Sequence, residues 1–494
     1  MLRKVPVYPF LFAGFSVLAL MANNIHEISI QDMWSSLLYA VLLSAATYGF
    51  VRLLIRDRQR SALISLGMLF FFFTYGHVYN SLNDVTLRGV DIFRHRNLLF
   101  LYGLPLLFFV YWVLRRAKDP ERFTHPLNLL SIFLLVYPTF SISSNVLRQS
   151  MAYRSAINTV AVQSPAADSE KPDIYYIILD AYGREDILKK YLGFDNSAFV
   201  TALRERGFYV ADCSQSNYGY TEYSVTSSLN YDYLDALNVS NDIERVAALK
   251  QNAVRSFLRE QGYRIVSAPT GWDMTEWRDA DLYLEDPSYS STPEFEKLVM
   301  DTSLLRIATD SNLFNVNRIT RQGHRSRVLY LLEQLKQLPK EDGNLFVFAH
   351  MVIPHPPYRF GPNGEWLDED PEDDSSAYVD QAIFINREIL QVIDEILASS
   401  EIPPVIIIQG DHGPPPELSA SAVQKMPILN AYYLPGIQAD HFLYPSISPV
   451  NSFRVVLDAY FGQNLPLLDD VSYYAPNSNH SALELVPNTC QGQP

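Results

Sequence analysis

The chain has 494 residues and a net charge of −15, too long for one ordinary domain. Residues 1–150 carry 14 Lys and Arg against 7 Asp and Glu, the rest 25 against 47, and so acidic a second half lacks the cationic face that nucleic acid requires. Two cysteines with no CxxC pair exclude a thiolate zinc site.

Five apolar stretches come first, at residues 5–21, 34–55, 62–78, 98–114 and 127–143. About 20 apolar residues cross a hydrocarbon core. Further apolar segments follow the first at once, so the pattern predicts a multi-span anchor rather than a cleaved leader. Arg3 and Lys4 precede the first stretch, Arg52, Arg56, Arg58 and Arg60 follow the second, and Arg115, Arg116, Lys118 and Arg122 follow the fourth. That asymmetry predicts a cytoplasmic N-terminus and, after five crossings, an outer location for everything beyond residue 143. Arg88, Arg94 and Arg96 run against it, in a loop placed outside. A polar stretch at 148–171 reads as a linker. The expected division is a transmembrane helical domain at 1–147, a linker at 148–171 and a globular domain at 172–494.

Beyond the linker, strand and helix patterns alternate. The near-continuous apolar run 174–179 ends in Asp180-Ala181-Tyr182-Gly183, the pattern of a buried parallel strand and a tight turn. Further strands are predicted at 207–211, 263–268, 345–350 and 404–409, with helices at 196–206, 328–337 and 382–398. This alternation implies an α/β domain with a mostly parallel sheet, whose chemistry gathers at the carboxyl ends of the strands. Cys213 and Cys490 are either a disulfide, if this half lies outside the cytoplasm, or two free buried thiols.

Three strand ends carry chemistry. Asp180 follows the first strand, Asp411 and His412 follow the run 405–410, and His350 ends the run 345–349 with His355 shortly after. Two carboxylates and an imidazole at one sheet edge suit a divalent cation such as zinc or manganese. Turn chemistry explains any one of them, because Asp before Gly is common in loops, but explains all three together poorly. The run 216–230 is rich in hydroxyls, and a Thr alkoxide forms at neutral pH when a cation lowers its pKa. If that run opens a helix, its free N–H groups suit a phosphoryl oxygen.

The segments PDIYYIILDAYG at 172–183, SNYGYTEYSVTSSLN at 216–230, HMVIPHPPY at 350–358 and QGDHGPP at 409–415 together resemble the alkaline-phosphatase/sulfatase superfamily. Within it, the chain resembles the membrane-bound sulfatase-like group related to lipoteichoic-acid synthases and phosphoethanolamine transferases. The resemblance implies about five transmembrane helices joined to an extracytoplasmic alkaline-phosphatase-like catalytic domain, in the cytoplasmic (inner) membrane of a cell envelope. It makes Asp180, Thr221, Asp411 and His412 the ligands of one divalent metal ion, zinc or manganese, with Thr221 also the nucleophile. His355 becomes the residue that meets the phosphoryl group or protonates the leaving group, with His350 and Ser224 also on the substrate side and His480 a late candidate. The implied partners are a membrane phospholipid donor and a glycan or lipid acceptor.

The chain also departs from the pattern. The Cys/Ser-x-Pro-x-Arg motif that becomes formylglycine in sulfatases is absent, since Cys213 is followed by Ser214-Gln215-Ser216. The transferases usually carry Glu where Asp180 stands, and the Asp-x-x-x-His pair of two-metal phosphoesterases is missing. The leading expectation is transfer of a phosphoglycerol- or phosphoethanolamine-type head group through a phospho-threonine. A metal-dependent phosphoesterase and a non-catalytic membrane scaffold of the same fold are the alternatives.

Overall fold

The computed structural model describes residues 4–25, 28–83, 85–87, 90–91, 93–157, 171–239, 241–287, 294–311, 316–367, 371, 373–416, 418–419, 421–475, 483–488 and 490. His480 and residues 158–170 of the expected linker lie outside them.

The chain divides into two compact units, and the first joins Met1–Arg148 to the distant segment Ser291–Thr320. Among the described residues, five apolar helices fall in the N-terminal part: α1 (Tyr8–Asn23), α2 (Met33–Ile55), α3 (Arg58–Leu82), α4 (His95–Arg115) and α5 (Thr124–Ile157). Four stretches, Ile30–Ile55, Arg58–Leu82, His95–Arg115 and Pro120–Met151, are long and apolar enough to cross a membrane. At 16 residues α1 is about 24 Å long, short of a hydrocarbon core of about 30 Å. The five stretches read from sequence are thus four long spans and one shorter apolar helix. Polar residues set the helix ends. Asp57 caps α3 through the Arg60 amide at 2.8 Å. The buried Asn128 amide accepts from Val7 and Tyr8 N at 3.0 and 2.9 Å and donates to Val5 O at 2.8 Å, which satisfies donors at the start of α1.

The distant segment contributes a helix, Glu294–Thr302. Its Phe295, Leu298 and Val299, spaced i, i+3, i+4, join a core formed by Ala13, Val17, Met21, Leu69 and Phe73. Just past it, Leu304 N donates to Phe72 O at 2.7 Å. Asp310 meets His95 Nε2 at 2.9 Å, while His95 Nδ1 meets the Tyr75 hydroxyl at 3.0 Å. Gly76 makes this approach possible, because a Cβ there would collide with the backbone of Asp301, Thr302 and Ser303. Gly76→Leu is therefore expected to displace residues 301–304 from α3. Limited proteolysis of the full chain in detergent should show new cleavage at 294–311, whereas an unchanged digest would count against the docking.

The second unit is built on a seven-stranded sheet. Its strands are β1 (Ile174–Leu179), β2 (Tyr209–Val210), β3 (Arg264–Ser267), β4 (Leu282–Tyr283), β5 (Leu345–Met351), β6 (Val405–Gln409) and β7 (Asn430–Tyr433), in the order β2-β7-β6-β1-β5-β3-β4. From β6 to β4 the pairings are parallel, whereas β7 pairs antiparallel with both β6 and β2. Tyr175, Ile177 and Leu179 of β1 point into one core and Ile174, Tyr176 and Ile178 into another. Burial on both faces explains the continuous apolar runs. The helix Asp374–Ser399 covers the first face with Tyr378, Ile385, Ile389 and Val392, and Pro449–Phe461 covers the second with Phe453, Val456 and Leu457.

Two of these strands were not predicted. β4 is two residues long and β7 starts with a polar residue, so neither has the length or alternation that marks a strand. The strand expected at 207–211 contracts to Tyr209–Val210, and the helix expected at 328–337 extends over Val316–Gln337. Cys213 and Cys490 form a disulfide with their Cα atoms 5.4 Å apart, which ties the C-terminal segment to the body of the unit.

Candidate active site

β1 lies between β5 and β6, both parallel to it, so three carboxyl ends stand side by side. Ile178 is level with His350 on β5 and with Gln409 on β6. Asp180 emerges just past Leu179, and Asp411 two residues past Gln409. The turns are tightly shaped. Ala181 adopts a left-handed φ of 63°, a strained choice for a residue with a Cβ. The buried Tyr378 hydroxyl holds it, donating to Ala181 O at 2.8 Å and accepting from Gly183 N at 3.2 Å. Gly410 is required because a Cβ there would strike the Tyr182 carbonyl.

The ligand-capable atoms of Asp180, Asp411 and His412 all lie within 4.8 Å of one another, and all three residues are buried. Asp411 Oδ1 accepts from the Ala181 and His412 amides, both at 2.9 Å. Its backbone carbonyl accepts from Ser216 Oγ at 2.5 Å and Ser224 Oγ at 2.6 Å. Ser224, expected on the substrate side, thus commits its hydroxyl to bracing the turn that carries Asp411. His412 Nδ1 meets Gly413 O at 2.8 Å. A carbonyl only accepts, so the proton sits on Nδ1 and Nε2 keeps its lone pair toward the carboxylates. That Nε2 is 3.8 Å from Asp180 and 3.6 Å from Asp411 Oδ2.

Thr221 is the first residue of the helix Thr221–Leu229. Its hydroxyl donates to Asp411 Oδ2 at 2.7 Å and lies 3.4 Å from His412 Nε2. Thr221, 190 residues before Asp411, is therefore brought within reach of the Asp411–His412 pair. His350 is buried, with Nε2 3.3 Å from Asp180 Oδ2. His355 is partly exposed; its amide donates to Asp180 O at 3.2 Å. Its Nδ1 meets Pro356 O at 2.7 Å, which leaves Nε2 to act elsewhere, and its ring is 6.3 Å from that of His412.

Apart from the His350 contact at 3.3 Å, the buried Asp180 carboxylate oxygens have no hydrogen-bond partner, an arrangement that is costly unless positive charge compensates it. Burial alone would raise the Asp180 carboxyl, but the imidazoles of His355, His350 and His412 outweigh it and hold the group well below the usual carboxylate range. Burial, with the Lys425 ammonium adding to it, keeps His412 below its ordinary value despite the nearby carboxylates. At neutral pH one residue is thus anionic and the other neutral, the states a divalent metal requires of its ligands. The donor set fits zinc or manganese.

Three residues that the sequence did not single out border the site. Lys425 is buried, with Nζ 5.8 Å from the Tyr220 ring centroid. Trp272 stands beside His355 and His350, with ring centroids 5.4 and 6.4 Å away. His324 is buried with Nε2 unpartnered, lining a small cavity with His350, Thr270 and Arg327. No short motif marks any of them. Burial, reinforced by the Arg327 and Arg359 charges, lowers His324 to about 3, against an ordinary value of 6.5. Between those values the unfolded chain binds a proton that the folded chain refuses, so the contribution is intact above pH 6.5 and is lost as pH falls. About 2 kcal/mol should disappear between pH 6.5 and 5. In melting curves of the full chain, His324→Gln should show a shallower fall over that interval; identical slopes would exclude His324 as the cause.

No protein-family model and no curated protein matches the chain. Solved structures similar to it include the C-terminal periplasmic domain of EcEptC from Escherichia coli in complex with Zn. The identity is 11%, over 65% of this chain and 94% of that one, with a TM-score of 0.43. The integral membrane protein lipooligosaccharide phosphoethanolamine transferase A from Neisseria meningitidis is 12% identical over 92% of this chain and 94% of its own, with a TM-score of 0.40. A 2-O GAG sulfatase is 13% identical over 60% and 72%, with a TM-score of 0.38.

Proposed function

We propose that the chain is a metal-dependent, membrane-anchored enzyme of the sulfatase-like group that transfers a phospho-head-group from a lipid to a glycan or lipid hydroxyl through a phospho-threonine. The observation that carries this reading is the Thr221 hydroxyl, 2.7 Å from Asp411 and 3.4 Å from His412, at a site shared with the fully buried Asp180 carboxylate. A structural Thr at a helix start has no need of such neighbours. Asp180, Asp411, His412 and Thr221 would hold one divalent ion, which lowers the pKa of a coordinated hydroxyl and offsets phosphoryl charge.

The chain's own groups divide the remaining work. Thr221 Oγ forms a bond to phosphorus as its proton passes to Asp411 Oδ2, already its hydrogen-bond acceptor. The bond from phosphorus to the lipid alcohol breaks, and His355 donates a proton to the departing oxygen. The Thr221–Leu229 helix start and Lys425 place positive potential by the phosphoryl oxygens. In the second half, an acceptor hydroxyl attacks phosphorus, gives its proton to His355, and the Thr221 oxygen leaves with the proton held by Asp411.

The Cys213–Cys490 disulfide supports an oxidising, extracytoplasmic setting for this unit, and the long apolar helices support a multi-pass inner-membrane anchor. Tethering near the bilayer raises the effective concentration of a lipid donor. The test is incubation of the full chain in detergent with head-group-labelled phosphatidylglycerol or phosphatidylethanolamine and a glycan acceptor. Labelled acceptor formed one-for-one with diacylglycerol is expected. Label released only to water would replace transfer by phosphoester hydrolysis, and no diacylglycerol at all would sink the lipid substrate.

A further inference from the structure

Strand β3 is the parallel neighbour of β5, with Ser267 level with Phe348, so the loop after it arrives at the sheet edge that carries His350. That loop, Ala268 to Trp277, is built with unusual care. The buried Glu276 carboxylate accepts from Thr270 N at 3.1 Å and Gly271 N at 2.9 Å, while its other oxygen takes Arg278 Nε at 3.0 Å and the Tyr283 hydroxyl at 3.2 Å. The Thr270 hydroxyl meets Trp272 N at 3.0 Å and Thr275 Oγ1 at 2.9 Å. Gly271 is left-handed at φ 94°, and the Arg327 guanidinium fills the place a Cβ would occupy. A loop fixed at this many points is held for what it presents.

It presents two tryptophans, and they differ. Trp277 is fully buried and stacks on Phe348 at 4.3 Å, a core residue. Trp272 stays partly exposed, edge-on to His355 at 5.4 Å. Contacts run from Thr221 to Asp411 and His412, on to Asp180 and His355, and end at Trp272. The indole therefore stands beside His355, the residue assigned to protonate the leaving oxygen. Displacement at phosphorus places the attacking and leaving oxygens roughly in line, and the alcohol that His355 protonates departs on the His355 side, next to the indole.

We infer that Trp272 is a specificity-determining residue that forms the wall of the leaving-alcohol pocket, taking the glyceryl-ester portion of a phospholipid against its apolar face. This rests on the phosphoester reading above. A flat indole with one apolar face and one polar edge suits a group that is apolar in its chains and polar in its ester linkages. The anionic head group is left to the cationic side of the site.

Binding tests this without turnover. In the full-length Thr221→Ala protein, affinity for dihexanoyl phosphatidylglycerol is compared with that for glycerol 3-phosphate, with and without Trp272→Ala. Loss of the indole should weaken the lipid probe about tenfold or more, the scale of one lost aromatic contact surface, and change glycerol 3-phosphate by less than about threefold. Trp272→Phe should recover most of the lipid affinity. Equal losses for both probes, or no loss for the lipid, overturn the assignment while leaving the phosphoester site standing. If Thr221→Ala binds neither probe, the phosphoester reading falls and this inference with it.

Discussion

Asp411→Ala is expected to lose the bound metal and to lower turnover by about 10³-fold or more, because a metal's stabilisation of several kcal/mol converts at tenfold per 1.4 kcal/mol. Asp411 reaches three partners at once: its Oδ1 orders the Ala181 and His412 amides, and its Oδ2 accepts from Thr221. Removing it therefore disturbs the turn as well as the ligand set, and Asp411→Asn separates the two effects. The Asn carbonyl can still accept from both amides, so the turn survives while the negative charge goes. Elemental analysis should find about one metal ion per wild-type chain and little in either variant. Chelation should lower the melting point of wild type, which leaves two facing carboxylates uncompensated, and barely affect the variants. An Asp411→Asn protein with full metal content and wild-type turnover would remove the basis for the site, and the scaffold alternative would then stand.

The parts of this centre legible in the sequence were those built on long buried strands. The apolar runs of β1 and β6 end just before Asp180 and the Gln409–His412 turn, His350 interrupts that of β5, and only a sheet buried on both faces makes such runs. Thr221 was singled out only through the family resemblance that the four motifs carry together. Trp272, Lys425 and His324 were not, since each matters through neighbours that only the folded chain supplies. Trp272 depends on a loop pinned by Glu276, and Lys425 lies on the four-residue helix Ala422–Lys425, too short to show a period. The helix Glu294–Thr302 was not among those read from the sequence, where Glu296, Lys297 and Asp301 break up its apolar residues. Its place in the helical unit depends on the missing side chain of Gly76, and a glycine inside an apolar helix does not announce what approaches it. The disulfide stayed open for the same reason, because a separation of 277 residues says nothing of distance.

Thr221→Ala should abolish the covalent intermediate and cut turnover by at least about 10⁴-fold, the usual order for a nucleophile whose partners remain. Metal content should fall little, since Asp180, Asp411 and His412 persist as ligands; this separates the variant from Asp411→Ala. Thr221→Ser is the informative partner. It keeps Oγ but loses the methyl that limits χ1, so the hydroxyl samples rotamers that face away from Asp411. Turnover about ten- to a hundredfold below wild type is expected, with the adduct retained. Intact-mass measurement after rapid quenching should find the head-group phosphate on the wild-type and Thr221→Ser proteins and not on Thr221→Ala. Peptide mapping should place it at residue 221. An adduct surviving in Thr221→Ala would assign the nucleophile elsewhere. Its absence from an active wild type caught before steady state would mean that water or the acceptor attacks phosphorus directly, with Thr221 reduced to orienting the ligands around it.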